Sequence, residues 1–395
     1  RAPAAGAGAM SAAARRKLIF LVTEDWYFWS HRLPMAEAAR DAGFEVAVAT
    51  RVAAHGERIR AAGFALHPLN WRREDLGLVG NLAAVLEIYR LYRRERPFLV
   101  HHVALKPALL GGLAALAARV PGIVSMIAGA GYAGIERRWH ARIIAALMRL
   151  AWPPLLLRRN CRVIVQNEED RSDLIRLRPR AADRIVAIRG SGVDLEFFQP
   201  LPEPPAPPIT IAYVGRMIAL KGVAVLVAAQ QALQRDGVDL RLILAGAPDP
   251  GNPTSLDEAT LRSWAALPGI DWRGRLADVR PIWAAAQIAV LPSLGGEGLP
   301  KTLLEAAAVG RAIVATNVPG TRSIARHGVN ALLVPPGDAP MLAAALKELA
   351  FDAARRRRFA EAGRRLVENE FSDRIVRAAT AALYRDLMMA LAPPA

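Results

Sequence analysis

The chain of 395 residues is 53% apolar, enough for two or three domains with sizeable cores. Its one cysteine, Cys161, excludes internal disulfides and a cysteine-based metal cluster, and fits a reducing compartment. The net charge of +16 is uneven: residues 1–200 hold 30 Lys+Arg against 18 Asp+Glu, the remainder 22 against 18. The first half is therefore drawn to something anionic (nucleic acid, a phospholipid surface or a phosphorylated substrate), unless it is simply an arginine-rich solvated surface.

Residues 1–15 are small and featureless and read as a disordered tail, with a potential start at Met10. "RRKLIFLV" opens like a signal peptide, but its apolar run stops at Glu24 and Asp25, too early for such a segment. It reads instead as a first buried strand. Further strand candidates follow at 45–50, 64–69, 99–105, 122–128, 162–167 and 184–190, separated mostly by helical patterns such as "RLPMAEAARDAG". The best candidate membrane span, "PALLGGLAALAA", stops at Arg119 and Pro121, short of the roughly 20 residues a span requires. A second series of strand candidates runs 209–215, 240–246, 270–274, 288–293, 311–317 and 331–336. All are continuously apolar rather than alternating, as expected of parallel strands covered on both faces by helices.

Between the two series, "FFQPLPEPPAPP" (197–208) has six prolines in twelve residues, which precludes helix or central strand and makes a semi-rigid spacer. The expected organisation is a first domain over 16–196, the linker 197–208, a second domain over 209–372 and a C-terminal helix over 373–395 that packs back on the first domain. Ser372 is a good N-cap for that helix. In doubly wound sheets ligands bind beyond the carboxyl ends of the strands, so two facing sheets would enclose a cleft.

Two loops follow strands directly. In "YVGRMIALKGV" (213–223), Gly215 lets the backbone turn, and Arg216 and Lys221 lie beside a helix start, a suitable diphosphate site. A surface loop with two ordinary charges is the competing reading. In "LPSLGGEGLPKTLLEAAAVG", Glu297 lies in a loop, Pro300 suits the first turn of a helix, and Glu305 lies on that helix about 7.5 Å further along at 1.5 Å per residue. Two acceptor-only carboxylates so placed suit a long hydroxyl-rich ligand. The plainer reading pairs Glu305 with an arginine inside the domain. No Asp-x-Asp pair occurs, so nothing points to a divalent metal holding a sugar diphosphate, and Arg216, Lys221 and helix dipoles would take its place.

"VGRMIALKGV", "SGVDLEFFQP" and the stretch from "LPSLGGEGLPKTLLEAAAVGRAIVATNVPG" to "LLVPPGD" resemble the family-4 retaining glycosyltransferases over about residues 16–390. The resemblance implies the GT-B fold: α/β, two Rossmann-like doubly wound domains facing a central cleft. It implies that Arg216 and Lys221 bind the donor diphosphate, that Glu297 meets the transferred sugar, and that Glu305 binds the ribose hydroxyls. Gly298 and Leu299 would offer backbone N–H groups, and Gly215 and Lys301 would complete the donor side. "EDWYFWSHRLPMAEAARDAGFEVAVAT", "HHVALKPALLGGLAA", "IAGAGYAGI" and "GAPDPGNPTS" are similar to a subgroup that extends lipid-linked sugars in bacterial surface-polysaccharide assembly. From that subgroup come the implied substrates, a UDP-activated hexose or N-acetylated hexose and a polyprenyl-diphosphate-linked saccharide. The implied site uses no metal and no cofactor, and the implied location is the cytoplasmic face of the cell membrane.

The chain departs from the family in two places. The loop after the first strand is "TEDWYFWSH" rather than glycine-rich, and "MIAGAGYAG" lacks the histidine many members carry after the fifth strand, where Tyr132 or a backbone group stands. His31, His102, Lys106 and Tyr132 are the acceptor-side candidates, with a structural role for His101 or His102 an equal alternative. "GAGYAG" (129–134) matches a dinucleotide fingerprint but has no acidic residue about 20 positions on, so a Rossmann cofactor site is not expected. The basic, apolar stretch 136–159 and "YRLYRRERP" (89–97) would face an anionic membrane. No motif supports nucleic acid as a partner. Two other functions compete: a UDP-sugar epimerase of the same fold, and a non-catalytic membrane scaffold.

Overall fold

The computed structural model describes residues 16–71, 77–127 and 158–391. The GAGYAG loop, Tyr132 and nearly all of the basic stretch 136–159 lie outside the described residues, as does the tail 1–15. Seven parallel strands form the first sheet: β1 (Lys17–Glu24), β2 (Glu45–Arg51), β3 (Ala65–Pro68), β4 (Leu99–Val103), β5 (Gly122–Ile127), β6 (Cys161–Val165) and β7 (Ile185–Ala187). Their order is β3-β2-β1-β4-β5-β6-β7. Six more form the second: β8 (Ile209–Val214), β9 (Leu240–Ala245), β10 (Ile270–Gly274), β11 (Ile288–Leu291), β12 (Ala312–Thr316) and β13 (Ala331–Val334), in the order β10-β9-β8-β11-β12-β13. In both sheets the order reverses beside the first strand, which puts a topological switch point at the carboxyl ends of β1 and β8.

The central strands are buried on both faces. Leu18 to Leu21 and Ile211 to Tyr213 have essentially no exposed surface. Helix starts are held by side chains that satisfy otherwise unpaired N–H groups: Asn167, Asp257, Asp338, Asp352 and Ser372 each accept from the backbone three residues on.

Two elements differ from expectation. The strand read as 99–105 stops at Val103, because Ala104 takes φ 76° and ψ 170° and the chain passes at once into the helix Leu105–Ala118. That conformation is costly for a residue bearing a Cβ. The proline-rich stretch, expected as a semi-rigid spacer, is also tied to the second domain. Prolines offer carbonyls but no N–H, and those carbonyls are taken by the second domain: Arg311 donates to Leu201 and Pro202, and Gln287 to Pro204 and Pro205. Val193, ahead of the stretch, and Phe198, at its start, already pack in the second domain's core.

The last helix, Asp373–Ala390, packs on the first domain. Val376, Leu383, Tyr384 and Leu387 enter the core around Phe20 and Phe44. Arg377 bridges Glu37 and Asp41 on the helix Leu33–Asp41. The Tyr384 hydroxyl lies 2.6 Å from His101 Nδ1. Among the described residues no helix is long and apolar enough to cross a membrane.

Candidate functional site

The site is built from the carboxyl ends of β8 and β11. After β8, the Gly215 N–H donates to Ala245 O at the end of β9, and the Tyr213 hydroxyl fixes the turn by donating to Arg216 O at 2.8 Å. A Cβ on Gly215 would meet that hydroxyl at 2.8 Å, so the tight turn needs glycine. Arg216 Nη1 is 2.7 Å from Asp249 Oδ2. Lys221 ends a short 3-10 turn, Ala219–Lys221, and the chain reverses at Gly222 with φ 69°. Its ammonium reaches Glu297 Oε1 at 2.5 Å, and Ser293 Oγ donates to the same oxygen. The Glu297 side chain is only 6% exposed, so this charge-assisted network holds it.

Pro300 caps the helix Lys301–Ala308 rather than entering its first turn. Glu305 is buried on that helix, and burial pushes its carboxyl up to about 7, with Lys301 Nζ at 3.8 Å pulling the other way. The structure thus brings Arg216, Lys221, Glu297, Lys301 and Glu305 to one side of the cleft between the domains. The cleft holds a cavity of about 990 Å³ that Trp29, Ser30 and Glu37 line from the first domain, and Lys301 and Glu305 from the second. A neighbouring hollow of about 300 Å³ lies among Trp26, Gly215, Arg216, Asp249 and Arg275.

The first domain closes directly on this loop. The Leu299 N–H, expected to face the donor, donates to Gln166 Oε1 at 3.0 Å. The Leu299 side chain packs on Gly190, where any Cβ would meet it at 2.7 Å. The Gly298 carbonyl lies against Gly320, where a Cβ would come within 2.1 Å of it.

Of the acceptor-side candidates, His31 follows the cleft-lining Trp29 and Ser30 and lies within the field of Lys301, Arg216 and Lys221. It stacks on Tyr27 at 4.5 Å and sits 2.6 Å from Ser30 Oγ. Burial, then the charges of Lys301, Arg32, Arg216 and Lys221, holds its imidazole well below the usual range and therefore neutral. His102 does not reach the cleft. It is fully buried in β4 between the Tyr92 hydroxyl, at 3.1 Å, and Gly111, and burial lowers it to about 3. It is a core residue, because adjacent strand residues face opposite sides of a sheet that is buried on both. Lys106 lies half-buried in the first turn of the helix Leu105–Ala118. Arg90, Arg93, Arg94 and Arg96 are exposed around the end of the helix Leu78–Glu95.

Sequence reasoning missed Asp249, Ser293 and Gln166. Asp249 stands in "GAPDPGNPTS", and Ser293 and Gln166 close β11 and β6, so position at a carboxyl strand end was the available signal. Among the described residues no cluster of three or more His, Cys, Asp or Glu is placed to hold a metal.

Residues 17–154 match the family described as glycosyl transferase 4-like, and residues 208–352 the family described as glycosyl transferases group 1. The capsular polysaccharide biosynthesis glycosyltransferase CapM of Staphylococcus aureus is 23% identical over 317 residues, covering 77% of this chain and 80% of that protein. Among solved structures, sucrose-phosphate synthase from Thermosynechococcus elongatus superposes with a TM-score of 0.78 at 22% identity, over 95% of this chain and 100% of that one. Anabaena HepE in complex with UDP-glucose gives 0.73 at 16% identity, over 94% and 100%. Two parallel Rossmann-like sheets flank a cleft and each half matches a glycosyltransferase family: the chain is a glycosyltransferase of GT-B fold.

Proposed function

We propose that the protein transfers a hexose or N-acetylated hexose from a nucleotide sugar, with UDP as the nucleotide, to a lipid-linked polyprenyl-diphosphate saccharide, with retention of configuration and without a metal, in surface-polysaccharide synthesis. The observation that carries this reading is the convergence of two cations, Arg216 and Lys221, and two carboxylates, Glu297 and Glu305, at the carboxyl ends of one sheet. The cations neutralise the charge that develops on the departing diphosphate, a transition-state interaction that raises turnover. Glu305 accepts from the ribose hydroxyls and Glu297 from the transferred sugar. His31, neutral and within the field of the same cations, serves as a hydrogen-bonding group toward the acceptor rather than as a cation.

HepE holds UDP-glucose in its complex, which supports the donor class, and CapM is named for capsular polysaccharide biosynthesis, which supports the pathway class. The exposed arginines of residues 90–96 and the net charge of +16 support docking at the inner, anionic face of the cell membrane.

The test is a transfer assay with a panel of nucleotide sugars, polyprenyl-diphosphate saccharide acceptors and a chelator arm. One nucleotide sugar should be consumed, its anomeric configuration kept in the product, with no chelator effect. Inverted product, a chelator-sensitive rate or epimerised donor without acceptor would each overturn the corresponding part.

A further inference from the structure

We propose that Asp249 is a resident counterion of Arg216 that competes with the donor's diphosphate and hastens release of the nucleoside diphosphate product. The proposal rests on the donor-site reading above and adds a residue to it. In the structure Asp249 Oδ2 lies 2.7 Å from Arg216 Nη1, and the carboxylate lines the same 300 Å³ hollow as the guanidinium.

The carboxylate is held there by a built loop and not by the ion pair alone. The segment 247–256 is stitched to the segment 217–219 by three backbone bonds: Met217 N–H to Ala247 O, Ala219 N–H to Thr254 O, and Leu256 N–H to Met217 O, at 2.7–3.0 Å. Inside the loop the Asp249 N–H donates to Ser255 Oγ at 2.9 Å, and the buried Asn252 accepts from both the N–H and the hydroxyl of Thr254. Gly246 lets the loop approach, since a Cβ there would come within 1.8 Å of Gly215 O. Arg216 and Asp249 are thus carried by one rigid unit, and the pair is pre-formed.

The electrostatic consequence follows from charge counting. The donor cations meet one carboxylate each, Arg216–Asp249 and Lys221–Glu297, so the four groups sum to zero. A diphosphate that binds Arg216 must share or displace Asp249, and two anions on one cation repel. When the product leaves, the tethered carboxylate retakes the guanidinium at high effective concentration. The arginine is 39% exposed, so removing its partner leaves a hydrated cation and the fold survives.

The experiment measures binding of pyrophosphate and of UDP, and UDP dissociation by stopped flow, on the full chain. Asp249→Asn and Asp249→Ser should each bind both probes roughly tenfold tighter and release UDP more slowly by a similar factor, while Arg216→Ala weakens both. A purely structural role for Asp249 would give the opposite sign. Unchanged or weaker binding in both Asp249 variants overturns the proposal, and so does loss of UDP binding with pyrophosphate unaffected, which would make Asp249 a nucleoside contact. If wild type binds neither probe, or Arg216→Ala binds like wild type, the donor-site reading falls and this inference with it. If those controls behave and only the Asp249 variants do not, the donor-site reading stands and this inference alone falls.

Discussion

The ammonium of Lys301, in the second domain, donates to the backbone carbonyl of Ser30, in the first, at 2.7 Å, and lies 3.8 Å from the Glu305 carboxylate. One side chain thus links the domains and offsets the charge of a buried acid. Lys301→Ala removes both effects. Nucleotide-sugar binding should weaken up to about tenfold, the worth of one charge-assisted hydrogen bond. The domains should also separate more readily, read as a larger radius of gyration by small-angle scattering. A variant with wild-type affinity and dimensions would show that the contact is incidental.

Glu305 sets a pH dependence of stability. Burial raises its carboxyl from an ordinary 4.5 to about 7 in the folded chain. Between those values the folded state holds a proton that the unfolded state has lost. The stability this group contributes is therefore full below about pH 4.5, falls as pH rises, and is gone above about 7. The loss is on the order of 3 kcal/mol at most. Chemical denaturation of wild type and Glu305→Gln at several pH values between 5 and 8 should give a difference that narrows for the acid as pH falls. Parallel curves would contradict the assignment of this burial to Glu305.

Lys221 and Glu297 should behave as a unit. Lys221→Ala leaves a nearly buried carboxylate without its cation, at a cost of about 1–3 kcal/mol in folding, and lowers turnover on the order of 10²–10³-fold through loss of leaving-group stabilisation. Adding Glu297→Gln should recover most of the stability and none of the turnover. Additive stability losses in the double variant, measured by denaturant titration, would mean that the two groups do not pair in solution.

Tyr384→Phe tests the return of the last helix to the first domain. The hydroxyl serves His101 Nδ1 at 2.6 Å, and His101 Nε2 has no hydrogen-bond partner among the described residues. The variant leaves a fully buried imidazole unsatisfied at both nitrogens and should lose about 1–3 kcal/mol. Nucleotide affinity should hold, since Tyr384 packs in the first domain's core. A drop in affinity without loss of stability would place Tyr384 in a different role.

The fold was legible because parallel strands covered on both faces are apolar along their length, so most of the described strands stand out as short runs such as Ile209–Val214, while Ile270–Gly274, with Asp271 and Arg273, does not. The places of Arg216, Lys221 and Glu297 were legible for a related reason: each lies in the loop that follows such a run, where an α/β sheet presents its ligand-binding end, and Glu305 lies on the helix after that loop. What pairs with them was not. Asp249 is 33 residues from Arg216, Gln166 is 133 from Leu299, and Ser30 is 271 from Lys301. Local sequence holds no record of such partners, because hydrophobic periodicity encodes which face of an element is buried and not which element it meets. The two adjacent histidines make the same point. Both are plausible at a strand end, yet pleating sends His101 to Tyr384 of the last helix and His102 to Tyr92, and both are sealed in the core. The sequence by itself determined two doubly wound sheets and the cations and carboxylates at the end of the second. Only the tertiary structure decided that Asp249 faces Arg216 and Glu297 faces Lys221, because that choice is made by the packing of one loop of the second domain on its neighbour.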